Sequence, residues 1–326
     1  LKGIHNLKKQ HLFSFVLATL SFIAAKSLQE VGVQNYYHQK ASHFVKESGY
    51  FDLIHPESVT NLPMGVNAFT DFVMMDSTHL ICLDDQIGGV LVYDMISNKS
   101  QGYLPTGIDS KITEVTKIDS TIILVDEKMG LHFLLPPYDS TSIITESLQD
   151  KSWISSGMCL HEQTSRLFFV AESDIENEIQ NHSIYTFNLN QRKLNERPLF
   201  EIKPEEIELF AISNNISLPV NRLDENGDTL HTFAFKPDVI AVHPKTNEIY
   251  LLSSSDRSLA VFNQFGQVVN FTTLDEDLFS QPKAMTFFPN GDLLLTNSDL
   301  KNPSIVRVKW NKLFQSKASH GLIFGS

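Results

Sequence analysis

The chain has 326 residues and a formal net charge of −12, from 38 acidic against 26 basic side chains. So acidic a surface repels phosphate backbones, and no run of Lys or Arg interleaved with aromatics offsets it, so nucleic acid is not expected as a partner. Hydrophobic residues at 42% and charged residues at 20% fit a globular protein, and two cysteines without metal-type spacing exclude a cysteine-ligated metal site.

The first predicted element is a leader. Lys8 and Lys9 precede a 14-residue apolar run, Leu12 to Ala25, which Lys26 and Ser27 follow. A positive start, a short apolar stretch and small residues at its end predict a secretory signal peptide over residues 1–27. The run is shorter than the ~20 apolar residues of a spanning helix, and an uncleaved N-terminal anchor is the alternative. Nothing later resembles a membrane helix. The mature chain is therefore expected to have no membrane span and to be exported to the periplasm, the cell envelope or the extracellular space.

Residues 28–62 form a weakly patterned N-terminal segment, with room for a short helix over 31–47. From 63 to 312 one phrase repeats: a turn, an apolar β-rich run, a short polar turn and a second apolar run. The copies begin at Thr78, Ser120, Ser165, Asn247 and Gly291, spaced 42, 45, 82 and 44 residues apart. Each follows another apolar strand, at 69–75, 112–118, 157–160, 239–243 and 284–288. Cys82 and Cys159 fall inside such runs and read as buried free thiols rather than a disulfide. Residues 313–326 are left as a polar tail.

A period of about 40–50 residues with four strands each is that of a propeller blade, and one blade cannot bury both its faces alone. The fold class expected is all-β, a β-propeller with five or six blades of four-stranded antiparallel sheets. The 82-residue gap is close to two periods. Residues 195–236 are thus either a degenerate sixth blade or an elaborated loop with a short helix at 204–210. Closure calls for an early strand beside the last blade, and residues near 50–62 are placed to supply it.

The stretch from Pro237 to Val308 (PDVIAVHPKTNEIYLLSSSDRSLAVFNQFGQVV, then LFSQPKAMTFFPNGDLLLTNSD) resembles the SdiA-regulated family of envelope-associated, propeller-like proteins. Residues 70–129 and 157–189 fit the same pattern more loosely, and the chain reads as a divergent member. The resemblance implies a Glu-Gly pair opening the inner strand of several blades, whose carboxylates would share a hard cation such as Ca2+. Here those positions are Thr113-Glu114, Ser156-Gly157, Val239-Ile240 and Lys283-Ala284, and Ser298 rather than an acid follows Asn297. A lysine where a cation ligand should stand argues against a metal, so no cofactor is expected, with Ca2+ as the alternative.

Asp224 to Asp228 opens like a calcium loop, but Thr229 and Phe235 occupy the positions that need Gly and Glu. Four Asn-x-Ser/Thr sequons, at Asn98, Asn181, Asn215 and Asn270, matter only in a eukaryotic secretory pathway. No nucleophile elbow, phosphate loop or H-E-x-x-H occurs, so no catalytic residue is assigned. Acids recur after the second strand of each copy, where they either satisfy turn amides or converge on one face. On the second reading Asp85, Asp126, Asp256 and Asp299 form a ligand-facing ring, to which His243 at a strand end is added. The function expected is a non-catalytic binding or scaffold module for a protein, glycan or small molecule. The alternatives are a Ca2+-dependent hydrolase of lactonase or phosphoesterase type at the channel mouth, and a structural protein interacting through its edges.

Overall fold

The computed structural model describes residues 48–63, 69–84, 89–148, 153–173, 182–219, 222–223, 229–230, 233, 235–298 and 303–313. The expected leader, the Asp224–Asp228 stretch, Asp85, Asp299 and the tail beyond 313 lie outside the described residues.

Strands β1 (Ser48–Phe51) and β2 (Ser58–Asn61) come first. Blade I is β3 (Phe69–Met74), β4 (His79–Asp84), β5 (Val90–Asp94) and β6 (Lys99–Tyr103). Blade II is β7 (Ile112–Ile118), β8 (Thr121–Asp126), β9 (Gly130–Leu134) and β10 (Ile143–Ser147). Blade III is β11 (Trp153–His161), β12 (Arg166–Ser173), β13 (His182–Asn188) and β14 (Lys193–Leu194), with β15 (Phe200–Ile202) also pairing β13. Helix α1 (Pro204–Ser213) and a two-strand pair, β16 (Arg222–Leu223) with β17 (Thr229–Leu230), follow. Blade IV is β18 (Val239–Val242), β19 (Ile249–Ser253), β20 (Ser258–Phe262) and β21 (Val268–Thr273). Blade V is β22 (Pro282–Phe287), β23 (Leu293–Asn297) and β24 (Ser304–Val308), and β2 pairs β24 as its outer strand. Strand β25 (Trp310–Leu313) returns to pair β1.

The protein is a five-bladed β-propeller of antiparallel sheets. Inner strand β3 neighbours β7, β7 neighbours β11, β11 neighbours β18, β18 neighbours β22, and β22 returns to β3. The sixth-blade alternative is thereby corrected. Because β11 packs directly on β18, no blade fits between them, and residues 195–236 instead supply β15, α1 and the β16–β17 pair.

The second strand of each blade explains why the copies read as unbroken apolar runs. Successive side chains on a strand point to opposite faces. In β4, Leu80 and Cys82 face blade V while Ile81 and Leu83 face blade II. In β8, Ile122 and Leu124 face blade I, and Ile123 and Val125 face blade III. Strand β12 repeats this with Leu167 and Phe169 against Phe168 and Val170, and β19 with Ile249 and Leu251 against Tyr250 and Leu252. The buried residues thus form five apolar clusters, one at each interface between blades. A strand covered on both sides needs no polar alternation, and each fully buried Leu, Ile or Phe contributes roughly 1.5–3 kcal/mol.

Helix α1 is local chemistry put to the same use. Pro204 sits in its first turn with Glu205 and Glu206, where a missing amide proton costs nothing and carboxylates suit the positive end of the dipole. Ile207 and Ala211, one turn apart, are buried in the cluster between blades III and IV. Both cysteines are buried free thiols.

Candidate binding channel

Four of the five inner strands open with a one-residue irregularity in their pairing to the second strand. The register shifts between Phe69 and Asp71, Ile112 and Glu114, Ser155 and Gly157, and Pro282 and Ala284. The extra residues are Thr70, Thr113, Ser156 and Lys283, and a bulge of this kind re-aims the side chains around it. The hydroxyls of Thr70, Thr113 and Ser156 donate to the carbonyls of Leu83, Val125 and Val170, at 3.5, 3.2 and 3.4 Å. Ser156 also reaches the Pro237 carbonyl of the next blade at 3.1 Å. Lys283 Nζ stands 4.0 Å from Asp238 Oδ2. Of the positions where the family resemblance would place carboxylates, Thr113 and Ser156 hold hydroxyls that donate to backbone carbonyls, Val239 is a buried aliphatic side chain, and Lys283 is an ammonium.

The residue after each bulge holds the equivalent place in its own blade. In blades I and II that residue is a carboxylic acid: Asp71 and Glu114. In blades III and V it is Gly157 and Ala284. At Gly157 an added Cβ would come within 3.0 Å of the Asp238 carbonyl, so this position presses on the next blade. Asp71 uses that proximity: its Oδ2 accepts the Val115 amide of blade II at 2.7 Å, and its Oδ1 the Phe72 amide at 2.8 Å. Burial pushes the Asp71 carboxyl up to about 7, opposed by those two amides.

Glu114 has no such compensation. It is 3% exposed, and neither carboxyl oxygen has a hydrogen-bond partner among the described residues. The Ser155 hydroxyl is close enough to oppose the shift, but its hydrogen bond goes to the Gly157 carbonyl at 3.3 Å. Burial, reinforced by the charge of Asp71, pushes Glu114 up to about 8. An ionised carboxylate enclosed without a donor is costly, so the free group holds its proton near neutrality.

Asp71 lines a cavity of about 540 Å³ that runs between the inner strands. Its walls include Phe72, Met158, Ile240 and Met285 together with the polar Ser77, Thr116, Gln163, Asn247 and Thr286. At the ends of the inner strands remote from the bulges, Asp76, Asp119 and Glu162 stand with Lys117 and Lys245. Counting Asp71, the lining carries four carboxyls against two lysines and no arginine.

The residues singled out in the sequence fall elsewhere. Asp126 ends β8 at the bulged end of blade II, but its oxygens face its own turn. Oδ1 accepts the Lys128 and Gly130 amides at 2.9 and 2.7 Å, and Oδ2 accepts the Ser110 hydroxyl and His132 Nε2, the latter at 3.0 Å. Burial raises this carboxyl, and the hydrogen bonds from Ser110, Gly130, His132 and Lys128 more than offset it, holding it below its usual range. A carboxylate only accepts, so Nε2 of His132 donates to it, while Nδ1 lies 2.9 Å from Thr145 Oγ1. Asp256 lies in the turn after β19 and accepts the Ser253 hydroxyl at 2.8 Å.

His243 is at the opposite end of its blade, 0% exposed. Its Nε2 donates to the Gly291 carbonyl at 3.2 Å, and its Nδ1 faces the Thr246 amide at 3.1 Å. Its ring packs on Phe287 and Trp310, each 4.9 Å between centroids. The structure therefore does not bring His243 together with Asp126 and Asp256. Among the described residues, no three His, Cys, Asp or Glu side chains converge closely enough to hold a metal ion.

No protein-family model matches the chain, and no curated protein matches it. Among solved structures it is similar to the glutaminyl cyclase of Myxococcus xanthus, at 10% identity over 80% of this chain and 97% of that one, with a TM-score of 0.51. It also aligns with the RRP9 WD40 repeats, at 10% identity over 80% of this chain and 100% of that one, with a TM-score of 0.46. A third is virginiamycin B lyase from Staphylococcus aureus, at 11% identity over 80% of this chain and 75% of that one, with a TM-score of 0.40. At such identities the first likeness is one of fold alone, and the other two carry nothing further.

Proposed function

We propose that this protein is an exported, envelope-associated propeller, a divergent member of the SdiA-regulated family, that binds a small molecule in its central channel without catalysing its conversion. One observation carries the reading: the inner strands enclose about 540 Å³ beside a buried carboxyl. That volume falls within the ~300–1,000 Å³ of small-molecule sites, which are mostly apolar with a few polar groups that orient the ligand. The leader-like segment at residues 1–27 supports export. No helix among the described residues is long and apolar enough to cross a membrane.

The test is a small-molecule screen read as thermal stabilisation, repeated on Thr286→Trp. Thr286 lines the cavity from the middle of β22 and belongs to none of the apolar clusters, so a large side chain there fills the channel with little damage to the blades. A ligand at about 100 times its Kd stabilises the folded state by roughly 2.7 kcal/mol. Stabilisation lost in Thr286→Trp supports the reading, and stabilisation that persists in that variant overturns it. A Ca2+-dependent rise in Tm, reversed by EDTA, would turn the reading towards the metal-dependent hydrolase.

A further inference from the structure

We infer that Thr145, His132 and Asp126 form a second site, an acyl-transfer triad on the outer edge of blade II that reacts with small activated esters. It is separate from the channel and does not rest on the channel reading.

Two consecutive hydrogen bonds define it. Asp126, buried at the end of β8, accepts His132 Nε2 at 3.0 Å. His132, 7% exposed in β9, turns Nδ1 to Thr145 Oγ1 at 2.9 Å across the β9–β10 pair. Thr145 itself is exposed. With Nε2–H given to the carboxylate, the neutral ring leaves a lone pair on Nδ1 that faces the hydroxyl. Hydroxyl, imidazole and carboxylate in this order are the mark of an activated nucleophile. The Ser110 hydroxyl and the Lys128 and Gly130 amides fix the carboxylate in turn. His243, a histidine that serves packing, turns its nitrogens to the Gly291 carbonyl and the Thr246 amide instead. His132 connects a buried carboxylate to a hydroxyl at the surface.

The pairing of β10 also supplies a donor for the oxyanion. Leu135 N bonds Ser142 O and Leu148 N bonds Met129 O, which sets the alternation along the β9–β10 ladder. Thr145, opposite His132, falls at a pair without backbone hydrogen bonds, so its own N–H points away from β9. Strand β10 is outermost in its blade, and that N–H therefore stands on the open edge beside Oγ1. A single amide donor suits an ester, whose carbonyl needs less activation than that of an amide.

The step balances within these groups and water. Thr145 Oγ1 bonds to the ester carbonyl carbon while its proton passes to His132 Nδ1, and the Thr145 N–H takes the developing oxyanion. The alkoxide leaves with the proton from Nδ1, and an acyl-threonine remains. Water then gives a proton to Nδ1 as it attacks the acyl carbon, and the proton returns to Oγ1 as the acid departs. Asp126 is a positioning residue that holds the ring in the productive tautomer.

The test is covalent labelling of the full chain with a fluorophosphonate and with p-nitrophenyl acetate, the adduct located by peptide mass spectrometry. One adduct is expected, on Thr145, kept in Thr145→Ser and absent in Thr145→Val. A folded His132→Gln should label at least about a hundredfold more slowly. Asp126→Asn should slow labelling and move the His132 proton from Nε2 to Nδ1, seen in the ring 15N chemical shifts. No adduct in the parent overturns the inference, as does an adduct that survives Thr145→Val or a rate unchanged in folded His132→Gln. Labelling of Thr145 no faster than in the urea-unfolded parent overturns it without recourse to any variant. A fluorophosphonate adduct without acetylation by the ester overturns the substrate class.

Discussion

Asp71 Oδ2 accepts the backbone amide of Val115 at 2.7 Å, joining the inner strand of blade I to that of blade II beside the central cavity. One side chain therefore links two blades and presents a carboxyl to the channel. Replacing Asp71 by Ala leaves that amide with no protein acceptor. The expected loss is about 1–3 kcal/mol in urea unfolding, with an unchanged m-value because the surface exposed on unfolding is the same. Stability equal to the parent would show that the link does not hold the two blades together.

Glu114 predicts an inverse dependence of stability on pH. Its folded value, about 8, lies above its ordinary 4.5, so between those values the folded chain holds a proton that the unfolded chain has released. Its contribution is complete below about pH 4.5 and is lost progressively as pH rises towards about 8, a fall on the order of a few kcal/mol. Asp71, pushed from 3.8 up to about 7, acts in the same direction over a window slightly lower. Glu114→Gln should be more stable than the parent above pH 7 and should show a flatter profile. Parallel profiles for the two chains would mean that Glu114 is not the group responsible.

Gly291→Ala is expected to destabilise blade V for two reasons. Gly291 has φ +101°, which residues with a Cβ rarely adopt, and an added Cβ would lie 2.8 Å from Trp310 and 3.0 Å from His243 Nε2. The cost should be at least about 1–3 kcal/mol, read as a lower Tm, with near-ultraviolet circular dichroism reporting the displaced Trp310. Channel binding, on the far side of β22, should persist in whatever fraction remains folded.

Asp126→Ala removes the acceptor of two amides, a hydroxyl and the His132 ring at one stroke. About 2–4 kcal/mol should be lost at neutral pH. Because the folded carboxyl lies below its usual range, its contribution is present above the unfolded value of 3.8 and disappears as pH falls through the folded one. Parent and variant should therefore converge in stability as pH falls below 3.8. Affinity for a channel ligand should not change, and a loss of affinity in a folded Asp126→Ala would restore Asp126 to the site.

The strands beside these residues were readable for a simple reason. Runs such as HLICL, TIILV and IYLL are apolar at every position because each faces a neighbouring blade on both sides, and that pattern survives in one dimension. The blade count did not, because the stretch between β15 and β18 approaches a blade in length, yet its described residues form α1 and the β16–β17 pair rather than a four-stranded sheet. The turn acids were visible as a recurrence, but Asp126 and Asp256 satisfy groups of their own turns. His243 looked like a strand-end histidine open to ligand and is instead enclosed by Phe287, Trp310 and the Gly291 carbonyl.

The amino-acid sequence by itself determined that this chain would be an all-β propeller, because strand periodicity, turn residues and two-sided burial are local or nearly local demands. Only the tertiary structure decided that there are five blades, since closure depends on which inner strands touch. It also decided that Asp71 and Glu114 hold equivalent places on adjacent inner strands. Each looked like an ordinary polar residue of an inner strand, and Glu114 drew notice only as the neighbour of Thr113. A single extra residue precedes each carboxyl, and the packing of adjacent inner strands lets the charge of Asp71 act on an acid 43 residues further along the chain.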